Sequence, residues 1–360
     1  PGDNFNTVLY DGNGSTQSIT GVGFQPDLLF GKNRTDTYDP LTANSVSGTG
    51  KYIITSATGG QVSNANGITS FDSDGFSLGS QEEWNPSLTV EDDMVVWCWL
   101  AGTAPTADNS AGAGATPTAG SAKIDGSNLG SALSGSIAAT RLSANTKSGF
   151  SIVTYTGTGA AATIGHGLSQ APELVITKRL DTTSNWGVGS DKSTIDFTDY
   201  LLLESDQIVY DDASFWNDTA PTASVFSVLS TGATNVDTGT YVGYLFHSVD
   251  GYSKVGGYIG NSNTDGTFVY TGFRPAWVMA KSHNNAGPWL IVDSVRNTYN
   301  MVDRDLSANS NAVEQTGTMM DCDFVSNGFK LRSTNHGNAS AYEYLYIAFA
   351  EYPFKYANAR

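Results

Sequence analysis

Three lysines occupy one position of a repeated sequence and are the first candidates for chemistry. Lys32, Lys178 and Lys281 each follow a proline by six residues, at the end of a short apolar run. They could form three equivalent binding sites. The alternative is structural, because a strand that runs from core to surface can pack a lysine stem while water hydrates the ammonium. We favour the alternative and expect three hydrated ammonium groups.

Histidines are the next candidates, because histidine titrates near neutral pH and serves as a general base. The four are His166, His247, His283 and His336. Each stands in a turn or near the end of a predicted strand, where bonding to the backbone is the commoner role. No Gly-x-Ser-x-Gly elbow lies between a strand and a helix, and nothing selects a carboxylate pair for glycoside hydrolysis. The sequence therefore predicts no catalytic residues and a protein that is not an enzyme.

Acidic residues cluster in predicted loops and could bind calcium, which prefers several oxygen ligands. The clusters are Asp72 with Asp74, Glu91 with Asp92 and Asp93, and Asp211 with Asp212. No complete EF-hand loop is present, so solvated turns are the better interpretation, although calcium binding stays open. Cys98 and Cys322 fall in different repeats and predict free thiols. Without a Cys/His cluster, structural zinc is not expected, and no cofactor or metal is predicted.

Tryptophans beside polar residues could stack on sugar rings. Trp84 and Trp216 lie in polar loops next to asparagines and are the candidates for such a site, with a structural role as the alternative. Trp186 and Trp289 each follow a repeated lysine by eight residues, and we expect them in the core.

The elements that hold these residues belong to a unit that occurs three times. In each copy a tyrosine precedes the proline by 16 or 17 residues, and an aromatic strand ends 73 or 74 residues after it. A glycine follows each tyrosine, and an asparagine precedes each closing strand. The residues are Tyr10, Gly12, Pro26, Asn85 and Trp99; Tyr155, Gly157, Pro172, Asn235 and Phe246; and Tyr258, Gly260, Pro275, Asn338 and Phe349. Strand patterning alone sets a period but no absolute spacing, so these distances indicate internal repeats.

The repeat and the composition predict an all-β protein of three tandem, β-sandwich-like units. The chain has 40 glycines and 11% aromatic residues, which suits short strands joined by tight turns. We place a divergent first unit at 1–102, an Ala/Gly/Ser/Thr-rich linker or extended loop at 103–145, and further units at 146–249 and 250–360. Units one and two should be separable, and units two and three rigidly joined. Predicted core residues are Trp99, Val175, Ile176, Phe246, Val278 and Phe349.

The charge balance argues against two classes of partner. The chain has 18 Lys and Arg against 35 Asp and Glu, a formal net charge of −17. Nucleic acids and anionic membrane surfaces both require a basic footprint, so neither is expected. The sequence has no run of about 18 apolar residues, so membrane insertion is not expected. The first residues do not have the pattern of a signal segment.

Several segments resemble an uncharacterised family of bacteriophage virion proteins from marine and aquatic phages, often labelled as tail fibre or structural proteins. The segments are 149–157, 166–168, 251–254, 265–276, 326–330 and 348–354. The resemblance covers 146–360 and reaches 1–102 through the repeat alone. Because that family has no established catalytic or binding residues, the resemblance implies a place in the virus particle but no site.

The resemblance implies a virion structural protein on the surface of an extracellular particle. Our first hypothesis is a tail fibre or receptor-binding component for host attachment. The alternatives are a capsid decoration or head-fibre protein and a glycan depolymerase of a tailspike. Expected partners are other virion proteins and a host surface glycan or protein. Because adsorption proteins commonly assemble about a symmetry axis, we also expect a homotrimer.

Overall fold

The computed structural model of the chain describes residues 3–87, 93–317 and 319–352. Nearly all regular structure in these residues is β-strand, arranged as a large sheet and a small sheet in each of three units. The predicted all-β fold of three repeated units is confirmed. No helix in the described ranges is long and apolar enough to cross a membrane.

Unit 1 contains nine strands. They are β1 (Phe5–Tyr10), β2 (Gln17–Thr20), β3 (Leu28–Asn33), β4 (Leu41–Asn44), β5 (Lys51–Ile54), β6 (Val62–Ser63), β7 (Ile68–Asp72), β8 (Gly75–Leu78) and β9 (Met94–Trp99). The large sheet has the order β1-β9-β3-β4-β5-β6, and the small sheet has the order β2-β8-β7. After β1 the chain forms β2 of the small sheet and returns to the large sheet for β3 to β6. It then forms β7 and β8 of the small sheet and closes with β9 in the large sheet.

Unit 2 repeats this plan and is preceded by the strands of the 103–145 segment. Those strands are β10 (Ala122–Ile124), β11 (Ser127–Asn128) and β12 (Ala139–Asn145). The unit itself has β13 (Phe150–Thr156), β14 (Ala162–Gly165), β15 (Leu174–Arg179), β16 (Trp186–Ser190), β17 (Asp199–Leu202), β18 (Tyr210–Asp211), α1 (Ala213–Trp216), β19 (Val225–Val228) and β20 (Thr240–Phe246). Its large sheet has the order β11-β10-β12-β13-β20-β15-β16-β17-β18, and β14 pairs with β19.

Unit 3 closely matches unit 1. Its strands are β21 (Ser253–Ile259), β22 (Phe268–Tyr270), β23 (Pro275–Ser282), β24 (Leu290–Asp293), β25 (Arg304–Ser307), β26 (Gln315–Thr316), β27 (Cys322–Val325), β28 (Gly328–Leu331) and β29 (Glu343–Ala350), with a 3-10 turn at His336–Asn338. The sheet orders are β21-β29-β23-β24-β25-β26 and β22-β28-β27. In all three units the closing strand therefore lies between the opening strand and the strand at the repeated proline.

The 103–145 segment is part of the fold and not only a linker. Strand β12 pairs antiparallel with β13 and extends the large sheet of unit 2. Leu142 and Ala144 are buried on one face of β12 and pack into the core of that unit. Earlier in the segment, Gly135 and Ile137 bridge to Ile164 at the edge of β14. The segment therefore lies along the body of unit 2, because its apolar residues pack there.

The repeated tyrosine, glycine and asparagine form one cross-link in each unit. In unit 2 the Tyr155 hydroxyl donates to the carbonyl of Thr234 at 2.6 Å, and the side-chain oxygen of Asn235 accepts from the amide of Thr158 at 2.7 Å. A side chain at Gly157 would collide with the carbonyl after Asn235. The equivalent sets are Tyr10, Gly12 and Asn85, and Tyr258, Gly260 and Asn338. Because buried polar groups need partners, this cross-link accounts for the constant spacing.

One hydrophobic core is shared by all three large sheets. It contains Trp97 and Trp99 of unit 1, Phe246 of unit 2, and Trp277 and Phe349 of unit 3, all at most 7% exposed. The outer faces of the large sheets pack against the small sheets in three further clusters. The residues predicted for the core, Trp99, Val175, Ile176, Phe246, Val278 and Phe349, are all buried. The expectation that units 1 and 2 are separable is wrong, because their inner faces share this core.

The three units are arranged as a closed ring with threefold pseudo-symmetry. The same backbone hydrogen bond joins each unit to the next at 2.8 Å. The pairs are Gln61 N to Leu180 O, Val209 N to His283 O, and Glu314 N to Arg34 O. The third pair links unit 3 back to unit 1, so each unit has two neighbours. Each unit is thus held on both sides as well as at the centre.

A buried charge network lies at the boundary between units 3 and 1. The Arg296 guanidinium bonds to Asp293 at 2.6 Å and to Glu314 at 3.0 Å. Glu314 also pairs with Arg34 of unit 1 at 2.9 Å, and the Trp97 indole donates to Asp293 at 3.1 Å. The side chains of Arg296 and Asp293 are completely buried. Burial alone would raise the pKa of Glu314, but the hydrogen bonds and charges of the two arginines lower it.

Candidate functional site

The three repeated lysines are buried, so the expectation of hydrated ammonium groups is wrong. Lys32, Lys178 and Lys281 are at most 1% exposed. The reason is that both faces of each large sheet are covered, one by the shared core and the other by a small sheet or a neighbouring unit. Burial lowers the pKa of each of the three lysines to about 8, and a nearby acidic residue opposes that shift in each case.

Backbone carbonyls satisfy the three ammonium groups. Lys281 donates to Gly287 in its own unit at 2.6 Å and to Asp206 of unit 2 at 3.0 Å. Lys178 in turn donates to Ser184 in its own unit and to Thr58 of unit 1 at 2.8 Å. Lys32 donates to Tyr38 at 2.7 Å. Lys178 and Lys281 therefore connect neighbouring units, and none of the three lysines has an ammonium open to a ligand.

The buried lysines predict a pH dependence of folding stability. In the native state the three lysines have a pKa of about 8, whereas in the unfolded chain they have the ordinary value of 10.5. Between these values the unfolded state binds more protons, so stability rises with pH by up to about 1.4 kcal/mol per pH unit for each lysine. The free energy of unfolding in urea, measured at intervals from pH 7 to pH 9.5, should show this increase.

The Lys178→Met variant is the control, because methionine keeps most of the apolar stem and does not titrate. Its stability should rise with pH less steeply than that of the wild type, by the contribution of one lysine. Burial also raises the pKa of the Cys98 and Cys322 thiols and of Tyr10, Tyr155 and Tyr258, and ionisation of these groups in the unfolded chain acts in the opposite direction, so the range stops below pH 10. A wild-type stability that is flat from pH 7 to pH 9.5 would contradict the interpretation.

The other predicted candidates are also held in structural contacts. Trp84 and Trp216 are at most 1% exposed and cannot stack on a ligand; the residues expected in the core, Trp186 and Trp289, are buried as well. His166, His247 and His283 are buried. His166 bonds to the carbonyl of Thr222, and burial lowers its pKa to about 4. Cys98 and Cys322 are free and buried.

Residues of the acidic clusters lie in turns and at strand ends, and Asp93 is buried and accepts the backbone amide of Gly12. Asp74 accepts the backbone amides of the turn at Gly21 and Gly23, and Asp212 caps α1 through the amide of Ser214. Glu91 and Asp92 lie outside the described residues. In the part of the chain that the structure describes, no group of three or more His, Cys, Asp or Glu side chains could hold a metal ion.

A polar cleft with a volume of about 390 Å³ lies between units 1 and 2 and is the strongest candidate for a functional site. One wall comes from the turn after β4, the second from the inserted segment, and the third from β13 and the start of β20. Its polar lining consists of Ser47, Lys51, Gln61, Asp108, Thr140, Arg141, Thr154, Thr156 and Thr240. The cleft thus combines hydroxyl groups with an amide and charges of both signs.

Loop length explains why the equivalent space between units 2 and 3 is filled. The connection 45–50 between β4 and β5 is shorter than the equivalent connection 191–198 between β16 and β17. In the longer loop, Ser193 lies against Gly257 of unit 3 and bonds to His283 at 2.9 Å. Gly257 is the equivalent of Thr154, which faces the open cleft. A shorter turn on one side and the inserted strand on the other therefore create the cleft.

Arg141 and Asp108 form an ion pair in the cleft. The Arg141 side chain donates to Asp108 and to the carbonyl of Val46, the latter at 3.1 Å. The Asp108 side chain is 67% exposed, so this carboxylate remains open to a ligand. In the described structure, the buried hydroxyl oxygen of Ser47 has no hydrogen-bond partner. The arrangement offers hydrogen-bond donors and acceptors close together, as recognition of a polyhydroxylated molecule requires.

Sequence reasoning did not identify any residue of this cleft. The signal available was the distance between the repeated prolines, which is 146 residues for the first pair and 103 for the second. That difference located the insertion but did not show which surface it covers. The length of the turn after β4 could be compared between repeats only after the strands were aligned by their pairing.

One family model matches this chain over nearly its whole length. The family is described as a domain of unknown function (DUF7483), and the matched residues are 1–126 and 123–353. Two successive matches to one family agree with the internal repetition of β units. No curated protein and no solved structure matches the chain.

Proposed function

The chain belongs to the DUF7483 family of domains of unknown function, and from that premise we propose that it is a bacteriophage virion component, a tail fibre or receptor-binding protein for host attachment. The polar cleft between units 1 and 2 is the observation that carries the proposal. The sequence resemblance to phage virion proteins and the acidic net charge of −17 support a place on an extracellular particle.

The ligand that best suits the cleft is a glycan of the host surface. Hydroxyl, amide and charged side chains converge there, and the Arg141–Asp108 pair can bridge two neighbouring hydroxyls of a sugar, one accepting and the other donating. The cleft lies on sheets fixed by the shared core, so binding orders little additional chain and costs little conformational entropy. This role needs neither a cofactor nor turnover of the ligand.

Attachment by this route depends on many weak contacts. A single open polar cleft binds weakly, but copies held on one particle raise the effective concentration and hence the avidity. Other virion proteins are therefore the expected partners that fix the protein in place. The homotrimer expected from fibre symmetry stays a prediction, and the pseudo-threefold ring means that one chain already places three related surfaces around a common centre.

Alanine variants of the cleft test the proposal. Asp108→Ala and Arg141→Ala should each weaken binding of the fluorescently labelled protein to host cells by about 10- to 100-fold, since each removes a charged hydrogen-bonding group. Arg332→Ala is the matched control: the Arg332 side chain is 34% exposed and pairs with Asp323 in unit 3, and that of Arg141 is 30% exposed. Arg332→Ala should bind as the wild type does.

Unchanged thermal unfolding of all three variants would separate loss of binding from loss of folding. If the cleft variants bind host cells as well as the control does, the cleft is not the binding site. Antibody labelling of intact particles tests the location, and labelling confined to the capsid shell would replace attachment with capsid decoration. Release of sugar fragments from host capsule would instead favour a depolymerase.

A further inference from the structure

We propose that the outer edge of β22 in unit 3 binds an extended peptide arm of a neighbouring virion protein, which adds a strand to the small sheet. β22 is the terminal strand of the sheet β22-β28-β27, so one side of it has no partner strand within the described residues. This site lies in unit 3 and shares no residue with the cleft. It rests on the proposed virion location only for the identity of the partner.

Unit 2 shows that the equivalent edge accepts an extended segment. There, residues 135–137 of the insertion lie along β14 and bridge to Ile164. The Ile137 amide donates to the carbonyl of Thr163 at 3.0 Å, and the Thr163 amide donates to the Ser136 hydroxyl at 2.9 Å. Both outward backbone groups of Thr163 are thus satisfied by a segment that is distant in sequence.

The pairing register identifies the same backbone groups in unit 3. Ile164 pairs with Phe226 and Val269 pairs with Phe329, so Phe268 is the equivalent of Thr163. Inward hydrogen bonds flank Phe268, since the amide of Leu331 donates to the carbonyl of Thr267. In an antiparallel pair, hydrogen bonding alternates along the strand, so the amide and carbonyl of Phe268 face away from β28.

Apolar side chains distinguish this edge from its equivalent in unit 1. Ile259 is 58% exposed, Phe268 is 45% exposed and Tyr270 is 65% exposed. The Thr267 hydroxyl donates to the carbonyl of Ile259 at 2.7 Å and holds this residue beside the strand. The equivalent positions in unit 1 are Asp11, Ser18 and Thr20, which are all polar. Polar and charged residues discourage strand addition, whereas an open apolar edge favours it.

The segment at 133–137 defines the chemistry of the partner. Its residues are Leu133, Ser134, Gly135, Ser136 and Ile137, and the Leu133 side chain lies against Gly165. The partner arm should likewise place small residues opposite the strand and apolar residues at both ends. Main-chain hydrogen bonds would hold it, and the exposed rings of Phe268 and Tyr270 would cover its apolar groups. A contact of this size lies below that of standard interfaces, so we expect a dissociation constant of about 10 µM to 1 mM.

A synthetic peptide with the sequence of residues 131–139 is the probe. In unit 2 the matching edge is already occupied by the chain itself, so the peptide should bind at unit 3. We expect saturable binding and slower hydrogen exchange of the Phe268 amide by about tenfold or more, without protection at Ser18. Absence of binding, or protection at Ser18 in place of Phe268, overturns the proposal.

Two variants locate the contact. Phe268→Pro removes the exposed ring together with an outward amide, which strand pairing within the sheet does not use, and should weaken peptide binding by tenfold or more. The double change Phe268→Ser with Tyr270→Thr introduces the residue types of unit 1 and should have the same effect. It keeps the test valid if the proline variant does not fold. Ser18→Pro is the matched control and should bind the peptide as the wild type does.

Binding that survives both the proline variant and the double variant overturns the proposal. Self-association of the wild type that the double variant abolishes would also overturn it, because the occupant would then be a second copy of this chain. Retained weak binding in the control and its loss in both edge variants would support a peptide arm.

Discussion

Replacement of Arg296 by alanine should lower the free energy of unfolding by about 3–5 kcal/mol, the usual cost of breaking a buried ion pair by removing one partner. Arg296 provides the cation for Asp293 and shares Glu314 with Arg34. Without it, the buried Asp293 side chain loses its cationic partner. The variant also loses the contact of the guanidinium with the Trp97 ring, whose centroid lies 5.7 Å from it in the native protein. Equilibrium unfolding in urea at pH 7 measures the change.

Arg304→Ala is the matched control for this prediction. Arg304 lies 3.7 Å from the same carboxylate of Glu314, but its side chain is 42% exposed. Exposed ion pairs contribute about 0–1 kcal/mol, so this variant should be close to the wild type. Equal effects of the two substitutions would show that the buried network does not stabilise the boundary between units 3 and 1.

Trp277→Ala should destabilise the protein by a similar amount, about 3–5 kcal/mol, as large-to-small changes at buried aromatic residues do. Trp277 is 2% exposed and lies in the core shared by the three units. Its ring centroid is 5.5–6.2 Å from those of its aromatic neighbours. These neighbours are Phe5, Trp97, Trp99 and Phe349. The substitution therefore removes packing within unit 3 and packing between units 1 and 3.

Because the core is shared, the change should reach all three units. Circular dichroism and tryptophan fluorescence should report one coincident unfolding transition for the wild type and one weaker transition for the variant. Tyr299→Ala is the control, since Tyr299 is 84% exposed and its loss should cost less than about 0.5 kcal/mol. Separate transitions for the units in the wild type would contradict a common core.

The spacing of the repeat was a reliable guide to the fold because polar cross-links depend on it. Tyr155, Gly157 and Asn235 must keep their register for the buried hydrogen bonds to form, and the same holds in the other units. Sequence separation between such residues is therefore conserved from one repeat to the next. The predicted strands and core residues followed from this register.

Burial of both sheet faces could not be read from the pattern. Trp97 and Trp99 point to the core shared by the units, whereas Val96 and Cys98 point to the cluster within unit 1. A strand that is covered on both faces reads as a continuous apolar run, and its sequence does not reveal what covers each face. The wrong expectations for the three lysines and for separable units have this common cause.

The cleft and the edge of β22 depend on comparisons that need the strand pairings. The turn after β4 is small and polar, and the space beside it is open because this turn is shorter than its equivalents at 191–198 and 294–303 and faces the inserted segment. Trp84 illustrates a related failure: its neighbours in sequence are polar, yet its ring is buried against Gly31. Local composition predicted a loop, but the packing partner came from a strand more than 50 residues away.

Because the three units of the ring belong to one chain, a substitution in one unit leaves the sequences of the other two unchanged. In a homotrimer of identical chains, every substitution appears three times, so a shortened turn or an inserted strand would change all three boundaries together. With the three units in a single chain, the boundary between units 1 and 2 can carry a cleft while that between units 3 and 1 carries a charge network. Tandem duplication would thus allow one boundary to diverge for recognition while the others retain contacts that maintain the assembly.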